Sequence, residues 1–478
     1  MVCYWIDPIV KDSPAPMETW EKTDAFSKNH SLPYSFVGIQ TIYLAMTFNP
    51  IYWNTACLIV NSGATDEERG NSTDYGKIAK AIGNIQSAGI KVSLADINLS
   101  KFGFSPDVEN NRILFGLKGM LNVGDDVVNN IIANRPYCSP KDFFYKVRPG
   151  KQAMISLIKG GAFDAMMNRK QTMVWFIWEV CDKKKRITLQ NMSGLIKHNL
   201  LPTDTEDYRI AQRVFEFNRY LKAMCKVDPQ HYKLDERAIG FMEETHVGYD
   251  LIQESFLLEI KSWEKIYQSW MDVFRAWIAD NKESILYDLN TAIFLEDWKK
   301  YASGNLSSWE MEVLCFYYHE HELGNVNVNK YGFSSFSELP KAPVVDKTFT
   351  RGGKTINVFK LNKICGTCIA KDKTKGTVTL LAPDGVVNVK FRKEYFSLFD
   401  KQISKKNPDG TKTIVQKSWF NRGNMIVVMG IRQGDDFVSK KYASSGGHQL
   451  YKIEAIQSDG DIVLTDQRYQ GGEEEEDV

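Results

Sequence analysis

Arg112-Ile-Leu-Phe-Gly-Leu-Lys-Gly-Met-Leu-Asn-Val-Gly124-Asp-Asp-Val-Val-Asn-Asn-Ile-Ile-Ala-Asn-Arg135 is the stretch from which the rest of the chain can be read. Apolar residues at Ile113, Leu114 and Leu117 precede a Leu-Asn-Val-Gly turn, and Val127, Val128, Ile131 and Ile132 follow at helical spacing. The pattern predicts two short helices joined by a turn. In it Gly124 supplies a backbone free to take positive φ, and Asp125 caps the second helix. A looser copy follows: Gln152-Ala-Met-Ile-Ser-Leu-Ile-Lys-Gly-Gly161-Ala-Phe-Asp164 reads as a helix, a Gly-Gly turn and a new helix start. Tandem helix–hairpin–helix units are the expectation.

A glycine turn ahead of a helix aims backbone N–H groups outward beside the positive end of the helix dipole. A DNA phosphate fits there without base contacts, so such a site positions a duplex rather than reading it. The expected contacts are Gly124 and Gly161, with charge from Lys118, Lys146, Lys151 and Lys159. An ordinary helical hairpin inside a larger domain has the same local pattern.

The 478 residues suffice for several domains, and 43% hydrophobic with 25% charged content is that of a globular protein. A net charge of +1 points to no partner, so any nucleic-acid surface must be local. Eight cysteines in no regular framework fit a reducing compartment. Met1-Val-Cys-Tyr-Trp-Ile-Asp-Pro8 lacks the form of a signal peptide, and no apolar run reaches membrane-spanning length. The expectation is a cytoplasmic protein with no membrane partner.

Residues 1–24 read as a loop broken by Pro14-Ala-Pro16, and Tyr34 to Phe48 as a mostly buried helix stopped before Pro50. Ahead of that helix stands Phe26-Ser-Lys28-Asn-His30-Ser31. By itself it is either a phosphate contact or a capped helix start. A polar interruption runs from Ala64 to Tyr75. The short β-like segment Gly89-Ile-Lys-Val-Ser-Leu-Ala-Asp-Ile-Asn98-Leu-Ser100 then leads into the hairpins.

Taken in order, these pieces resemble the C-terminal half of the alpha subunit of bacterial DNA polymerase III, a C-family replicative polymerase. The family's Phe-Asn-Lys-Ser-His-Ser fingers element stands here as Phe26 to Ser31. Its Gly-Ile-x-Val-x-x-x-Asp-Ile-Asn-x-Ser stands as Gly89 to Ser100, and its Leu-Ile-x-x-Gly-Ala-Phe-Asp as Leu157 to Asp164. The resemblance implies that Lys28 and His30 lie near an incoming nucleotide, and that the chain holds double- and single-stranded DNA. It is strong over about residues 20–180 and thins afterwards.

Residues 181–305 are helical and rich in tryptophan. Cys181-Asp-Lys-Lys-Lys-Arg186 reads as a solvated basic face. Phe256, Leu257, Ile260, Trp263, Ile266, Trp270 and Phe274 form one amphipathic stripe that core packing explains. Gln253-Glu-Ser-Phe-Leu257 resembles weakly the glutamine-led peptide that binds the sliding clamp in this family, in what is expected to be a helix. The family likeness returns at Trp309-Glu-Met-Glu-Val-Leu-Cys-Phe-Tyr-Tyr-His319-Glu-His321-Glu-Leu323, where the His-x-His reads as a helix-end connector rather than a metal site.

Past Pro343 the pattern changes to strands: Ile356–Phe359, Ile364–Ala370, Thr377–Leu381, Val386–Phe391, Met425–Ile431 and Leu450–Ile456. With Glu394 to Lys401 as an intervening helix, the order resembles the OB-fold, a five-stranded barrel. Between Lys371 and Lys441 there are 15 Lys and Arg against 7 Asp and Glu, with aromatics interleaved. Charge to follow a backbone and rings to stack bases suit single strands. The expected contacts are Lys371, Lys373, Arg392, Tyr395, Trp419, Arg422 and Tyr442. A basic barrel with core aromatics has the same composition. Cys365-Gly-Thr-Cys368, inside a strand, reads as structural.

Nucleotidyl transfer needs metals held by clustered carboxylates. The family carries them on a palm domain with a Pro-Asp-x-Asp-x-Asp motif, which is not found in this sequence. Asp459-Gly-Asp461, Gly434-Asp-Asp436 and Gly124-Asp-Asp126 all read as turns. The expectation is therefore a multidomain α+β chain: late fingers (1–95), tandem hairpins (96–180), a helical region (181–342), an OB-like barrel (343–470) and an acidic tail (471–478). It would bind no metal and catalyse nothing alone. A palm-bearing partner chain would supply the carboxylates and Mg2+. The alternative is a free-standing DNA-binding protein derived from the polymerase.

Overall fold

The computed structural model describes residues 28–62, 75–253, 255–406, 412–442 and 448–468. The expected N-terminal loop, nearly all of the polar interruption and the acidic tail lie outside them, as do the side chains of Lys28 and His30. The chain divides into two compact units, one of residues 1–172 with 304–478 and one of residues 173–303.

The first unit opens with α1 (Lys28–Thr47), α2 (Pro50–Ser62) and α3 (Tyr75–Ser87). Helix α1 begins at Lys28, so the basic cluster forms its first turn rather than preceding it. The expectation of a buried helix is overturned: from Leu32 to Phe48 no residue is buried. Strands β1 (Lys91–Ser93), β2 (Ser105–Asp107) and β3 (Arg112–Leu114) make a small sheet in which β3 runs parallel to β1 and antiparallel to β2. Arg112 to Leu114 is thus a strand, not the first helix of a hairpin. Ile113 and Phe115 point inward at 0% exposure with Leu114 between them half-buried, a period of two that a short apolar run conceals. One 3-10 turn, Leu117–Gly119, stands where the expected helix ended.

After the turn come α4 (Asp125–Ala133), α5 (Pro140–Val147), α6 (Lys151–Lys159) and α7 (Arg169–Val180), which runs across the division between units. Ser139 caps α5 by accepting the Asp142 N–H, with Pro140 preset at the first helical position.

The second unit holds α8 (Met192–Lys197), α9 (Glu206–Tyr220), β4 (His231–Lys233), α10 (Glu236–Thr245), β5 (Leu257–Glu259), α11 (Ile260–Asp280) and α12 (Lys282–Tyr301). Trp263 of α11 is its buried anchor: the indole N–H donates to Asn218 Oδ1 (3.1 Å) while Phe217 meets the ring edge-on. Phe256 and Leu257 lie outside the helix that carries the rest of the expected stripe.

Beyond α13 (Leu306–Leu314) and the short α14 (Val328–Tyr331) the first unit becomes β-structure. Strands β6 (Val345–Arg351) and β7 (Lys354–Phe359) pair only with each other, so Ile356–Phe359 belongs to a ribbon and not to the barrel. The barrel is built from β8 (Asn362–Asp372), β9 (Thr377–Ala382) and β10 (Gly385–Lys390). Helix α15 (Lys393–Asp400) and a side hairpin of β11 (Ile403–Lys406) and β12 (Lys412–Gln416) follow, then β13 (Met425–Gln433) and β14 (Asp436–Ser439). A meander β8–β9–β10, a parallel β10–β14 pair, and antiparallel β14–β13 and β13–β8 pairs close five strands into a ring. That is the OB topology, with its helix between the third and fourth strands. The closing strand is the four-residue β14, absent from the sequence expectation. Strands β15 (Leu450–Ile456) and β16 (Ile462–Thr465) extend the sheet from the edge of β13 and lie outside the ring.

Residues 309–317 lie between the hairpins and the barrel. On one side Leu121 N–H donates to Val313 O (3.1 Å) and Phe115 stacks on Phe316 (5.7 Å). On the other, Met311, Cys315 and Tyr317 pack with Ile369 and Leu381 of the barrel and Ala79 of α3. Gly83 of α3 approaches so closely that a Cβ there would stand 2.9 Å from Val386 Cγ2 of β10.

Candidate nucleic-acid interface

At the first hairpin the left-handed residue is Asn122 (φ 62°), while Gly124 is extended (φ −78°, ψ 167°) and is itself the helix N-cap. Asp125 sits in the first turn rather than at the cap. What Gly124 contributes is space: a Cβ built there meets no atom within 4 Å, so the backbone is open to an approaching group. The first-turn N–H groups of α4 have no partner within the helix. Asp125 and Asp126 already satisfy the dipole at this end, and Lys118 is ion-paired to Asp125. A phosphate here would take Lys118 from Asp125.

The second glycine turn faces inward. Gly161 is left-handed (φ 78°), and a Cβ on it would stand 2.5 Å from the Arg169 guanidinium, 2.8 Å from Asp164 and 2.8 Å from Leu94. Neighbouring Gly160 is closed off by Met120. Lys159 is 4% exposed and its Nζ donates to Glu312 (2.5 Å). Gly161 and Lys159 therefore belong to the framework in this structure. The open turn of this half is one residue before α6: left-handed Arg148, Pro149, then Gly150 as N-cap with nothing within 4 Å of a Cβ. Pro-Gly ahead of Lys151 is the signal that marks it. Lys151, half-buried, follows directly, and Lys146 is engaged by Asp142 (3.0 Å) and the Pro136 carbonyl (3.1 Å).

Under the hairpins runs a buried charge network. Glu310, 0% exposed, accepts from Arg169 (2.9 Å) and from the backbone N–H groups of Tyr318 and His319 (3.0 Å each), and pairs with His319 Nδ1 (2.6 Å). Arg169 also holds Asp164 (2.5 Å) and the Lys159 carbonyl (3.1 Å). The other histidine of the pair, His321, accepts from Leu323 N–H through Nδ1 and donates from Nε2 to Leu381 O, both at 3.0 Å. Both imidazoles thus bind protein groups. Among the described residues no cluster of three or more His, Cys, Asp or Glu could hold a metal ion.

On the barrel, the β8–β9 loop and α15 enclose a polar cleft of about 460 Å³ lined by Lys371, Lys373, Ser397, Asp400, Lys401 and Asn421, among others. Lys371 forms its floor, donating to Asp400 (2.5 Å), Ser418 and Asn421 (3.3 Å each). Burial opposes ionisation of Asp400, but hydrogen bonds from Lys371 and Ser418 outweigh it and hold the carboxyl below its ordinary range. Lys373, 70% exposed and 3.3 Å from Asp400, and Lys401, also exposed, face solvent. Three cations against one carboxylate leave the cleft positive.

The aromatic expectation is corrected. Trp419 is fully buried and Phe391, Phe396 and Phe420 are at most 7% exposed, so these rings fill the barrel, although Phe396 also lines the lysine cleft. Tyr395 is half-buried between Phe391 and Phe399, and burial pushes its phenol up to about 12. Tyr442 is half-buried, its hydroxyl taking the Phe359 N–H (2.9 Å) and its ring lying under Lys440. Arg392 is exposed at the start of α15, and Arg422 lies over the Tyr75 ring (4.8 Å). The outer face of β8, β9 and β10, where barrels of this type ordinarily take ligands, is covered in part by α3 and residues 311–317. The loop end remains.

In the second unit Arg186 lines a cleft of about 520 Å³ with Arg275 and Lys282. Glu254 lies outside the described residues; of the rest of Gln253 to Leu257 none is helical, Leu257 opens β5, and Phe256 is left-handed and 49% exposed. The paired aspartates lie at turns: Asp461 faces Lys330 and Asp436 faces Lys390, each at 2.6 Å.

The first unit thus carries tandem helix starts packed through a buried connector onto an OB barrel. Residues 89–173 match a family model described as a helix-hairpin-helix motif. The chain is 38% identical over 464 residues to the Probable DNA polymerase YorL of Bacillus subtilis and, at the same identity, to the DNA-directed DNA polymerase of Bacillus phage SPbeta. Each match covers 93% of this chain and 35% of the relative. DNA polymerase III subunit alpha of Thermus aquaticus is 32% identical over 155 residues, which is 31% of this chain and 12% of that one. Along 93% of its length the chain is homologous to a segment of two proteins named as DNA polymerases, and it spans about a third of their length. No helix among the described residues is long and apolar enough to cross a membrane.

Proposed function

We propose that the chain holds template and primer DNA in a DNA-directed DNA polymerase whose catalytic carboxylates and Mg2+ lie on a palm-bearing partner. The open starts of α4 and α6, at Gly124 and Gly150, take duplex phosphates, with Lys118 and Lys151 adding charge. The lysine cleft of the barrel, with Arg392 and Arg422 beside it, takes a single strand; Tyr442, next to Phe359 at the opposite end of β8, stands apart from it. Lys28 and His30 act on the incoming triphosphate from the first turn of α1, where the helix dipole favours an anion. A sliding-clamp contact would run through Gln253 to Leu257, whose Phe256 is exposed.

The observation that carries this reading is the likeness of 93% of this chain to a segment of two proteins named as DNA polymerases, on a chain whose hairpins and barrel are packed as one unit. Primer extension tests it. The purified chain alone should bind DNA and extend nothing, and adding a palm-bearing polypeptide should start synthesis. Lys28→Ala should then raise the apparent KM for nucleotide and leave the DNA affinity of this chain unchanged. Extension by the chain alone would overturn the division of labour. If no palm-bearing polypeptide restores synthesis, the chain acts as a free-standing DNA-binding protein.

A further inference from the structure

The sequence from Leu32 to Ser62 contains no charged residue, yet from Leu32 to Thr47 no residue of α1 is buried. Ile42 (50% exposed), Ile39 (60%), Phe36 (59%) and Val37 (57%) spread over more than half the circumference of the helix, and only the side of Ser35, Gly38, Thr41 and Ala45 is half-buried. A surface helix has one apolar stripe, turned to its own core; exposed apolar surface over more than half of a helix needs a further body to cover it. Helix α2 differs: Ile51, Thr55 and Leu58 at helical spacing are buried, so that helix already has its core side. An apolar surface as continuous as that of α1 marks an interaction site.

We infer that α1 is a docking helix that inserts into the catalytic body of the polymerase, the part of its relatives that lies outside the match. This rests on the polymerase reading above. About two thirds of each long relative has no counterpart here, while the match takes in 93% of this chain, so a large protein body is available to enclose the helix. A second copy of this chain would cover one stripe of α1 and leave the others bare. A bilayer is disfavoured because no described helix is long and apolar enough to cross one, and Gln40 and Thr41 interrupt the apolar run. Insertion would also bring the first turn, with Lys28 and His30, against that body.

The test uses the full chain and, as probe, the part of the Bacillus phage SPbeta polymerase outside the matched segment, made as a separate polypeptide. Sedimentation should show a one-to-one complex. The Ile39→Lys/Leu44→Lys variant changes two exposed side chains on different sides of α1 and should keep the wild-type circular dichroism and melting curve. It should bind the probe at least tenfold more weakly. Equal binding by variant and wild type, or no binding by either, overturns the inference. So does a wild-type homodimer, or wild-type binding to phosphatidylglycerol vesicles, that the variant loses while the probe stays unbound. Primer extension by the mixture is read separately. Synthesis without dependence on α1 sinks only the docking helix, and α1-dependent binding without synthesis sinks only the polymerase reading.

Discussion

Arg169 and Glu310, 141 positions apart in sequence, form a fully buried ion pair at 2.9 Å that ties the second hairpin to the connector leading into the barrel. Removing one member of such a pair strands the other charge, at a cost of about 3–5 kcal/mol. Glu310→Leu should cost more than Arg169→Met, because it also orphans the N–H groups of Tyr318 and His319. Urea denaturation measures both, and a loss below about 1 kcal/mol for Glu310→Leu would remove the network from the fold's foundations.

The two hairpin glycines should separate by phenotype. Gly124→Val enters open space at an ordinary φ, so the fold should hold while duplex affinity falls and the log–log salt slope drops by about 0.9 for a lost phosphate contact. Gly161→Ala should cost about 1–2 kcal/mol for the left-handed backbone alone and also displace Arg169. Fluorescence anisotropy across a salt series, beside melting curves, distinguishes them. Wild-type duplex affinity in Gly124→Val would exclude that turn.

On the barrel, charge and ring should likewise part company. Lys373→Ala with Lys401→Ala should weaken single-strand binding, each lost contact reducing the salt slope by about 0.7, with little change in stability. Trp419→Ala should cost about 3–5 kcal/mol of stability because the indole is core. A stable Trp419→Ala protein with selectively poor single-strand binding would reverse the assignment.

His321 gives the fold a pH dependence. Burial lowers its imidazole from 6.5 to about 4, against the opposing hydrogen bond to Leu381 O. Between those values the unfolded chain takes up a proton that the folded chain refuses. The contribution of His321 is therefore whole above pH 6.5 and is lost as pH falls toward 4, by about 2 kcal/mol between pH 7 and 5. His321→Gln should flatten that portion of the stability profile; an unchanged profile would show that the ring is solvated.

The OB order was legible because four of its strands are long or strongly alternating and Pro383-Asp-Gly385 marks a turn between two of them. Strand β14 was not, since Asp436-Phe-Val-Ser439 is too short to show a period and gains its identity by pairing with β10 and β13. The hairpin was legible at Gly124 through the helical spacing of Val128 and Ile131, but Ile113 and Leu114 suit either period, and tertiary pairing made them a strand. Composition could not tell which rings or lysines stay outside. Trp419 and Lys159 look like ligands in sequence, and only their neighbours, the barrel core and Glu312, show otherwise. Helix α1 failed in the opposite sense: its apolar residues argued for burial that nothing described in this chain supplies.

Because α3 and the connector cover part of the strand face of the barrel, the hairpins and the loop end of the barrel are joined by packed side chains in place of a tether. A tether lets a second contact search a volume, and its strength then varies with tether length. A packed joint sets a single spacing. Nucleic acid reaching from one end to the other would be gauged by that spacing, as by a fixed caliper, and a gap in it too short or too long by a few nucleotides would engage only one end at a time.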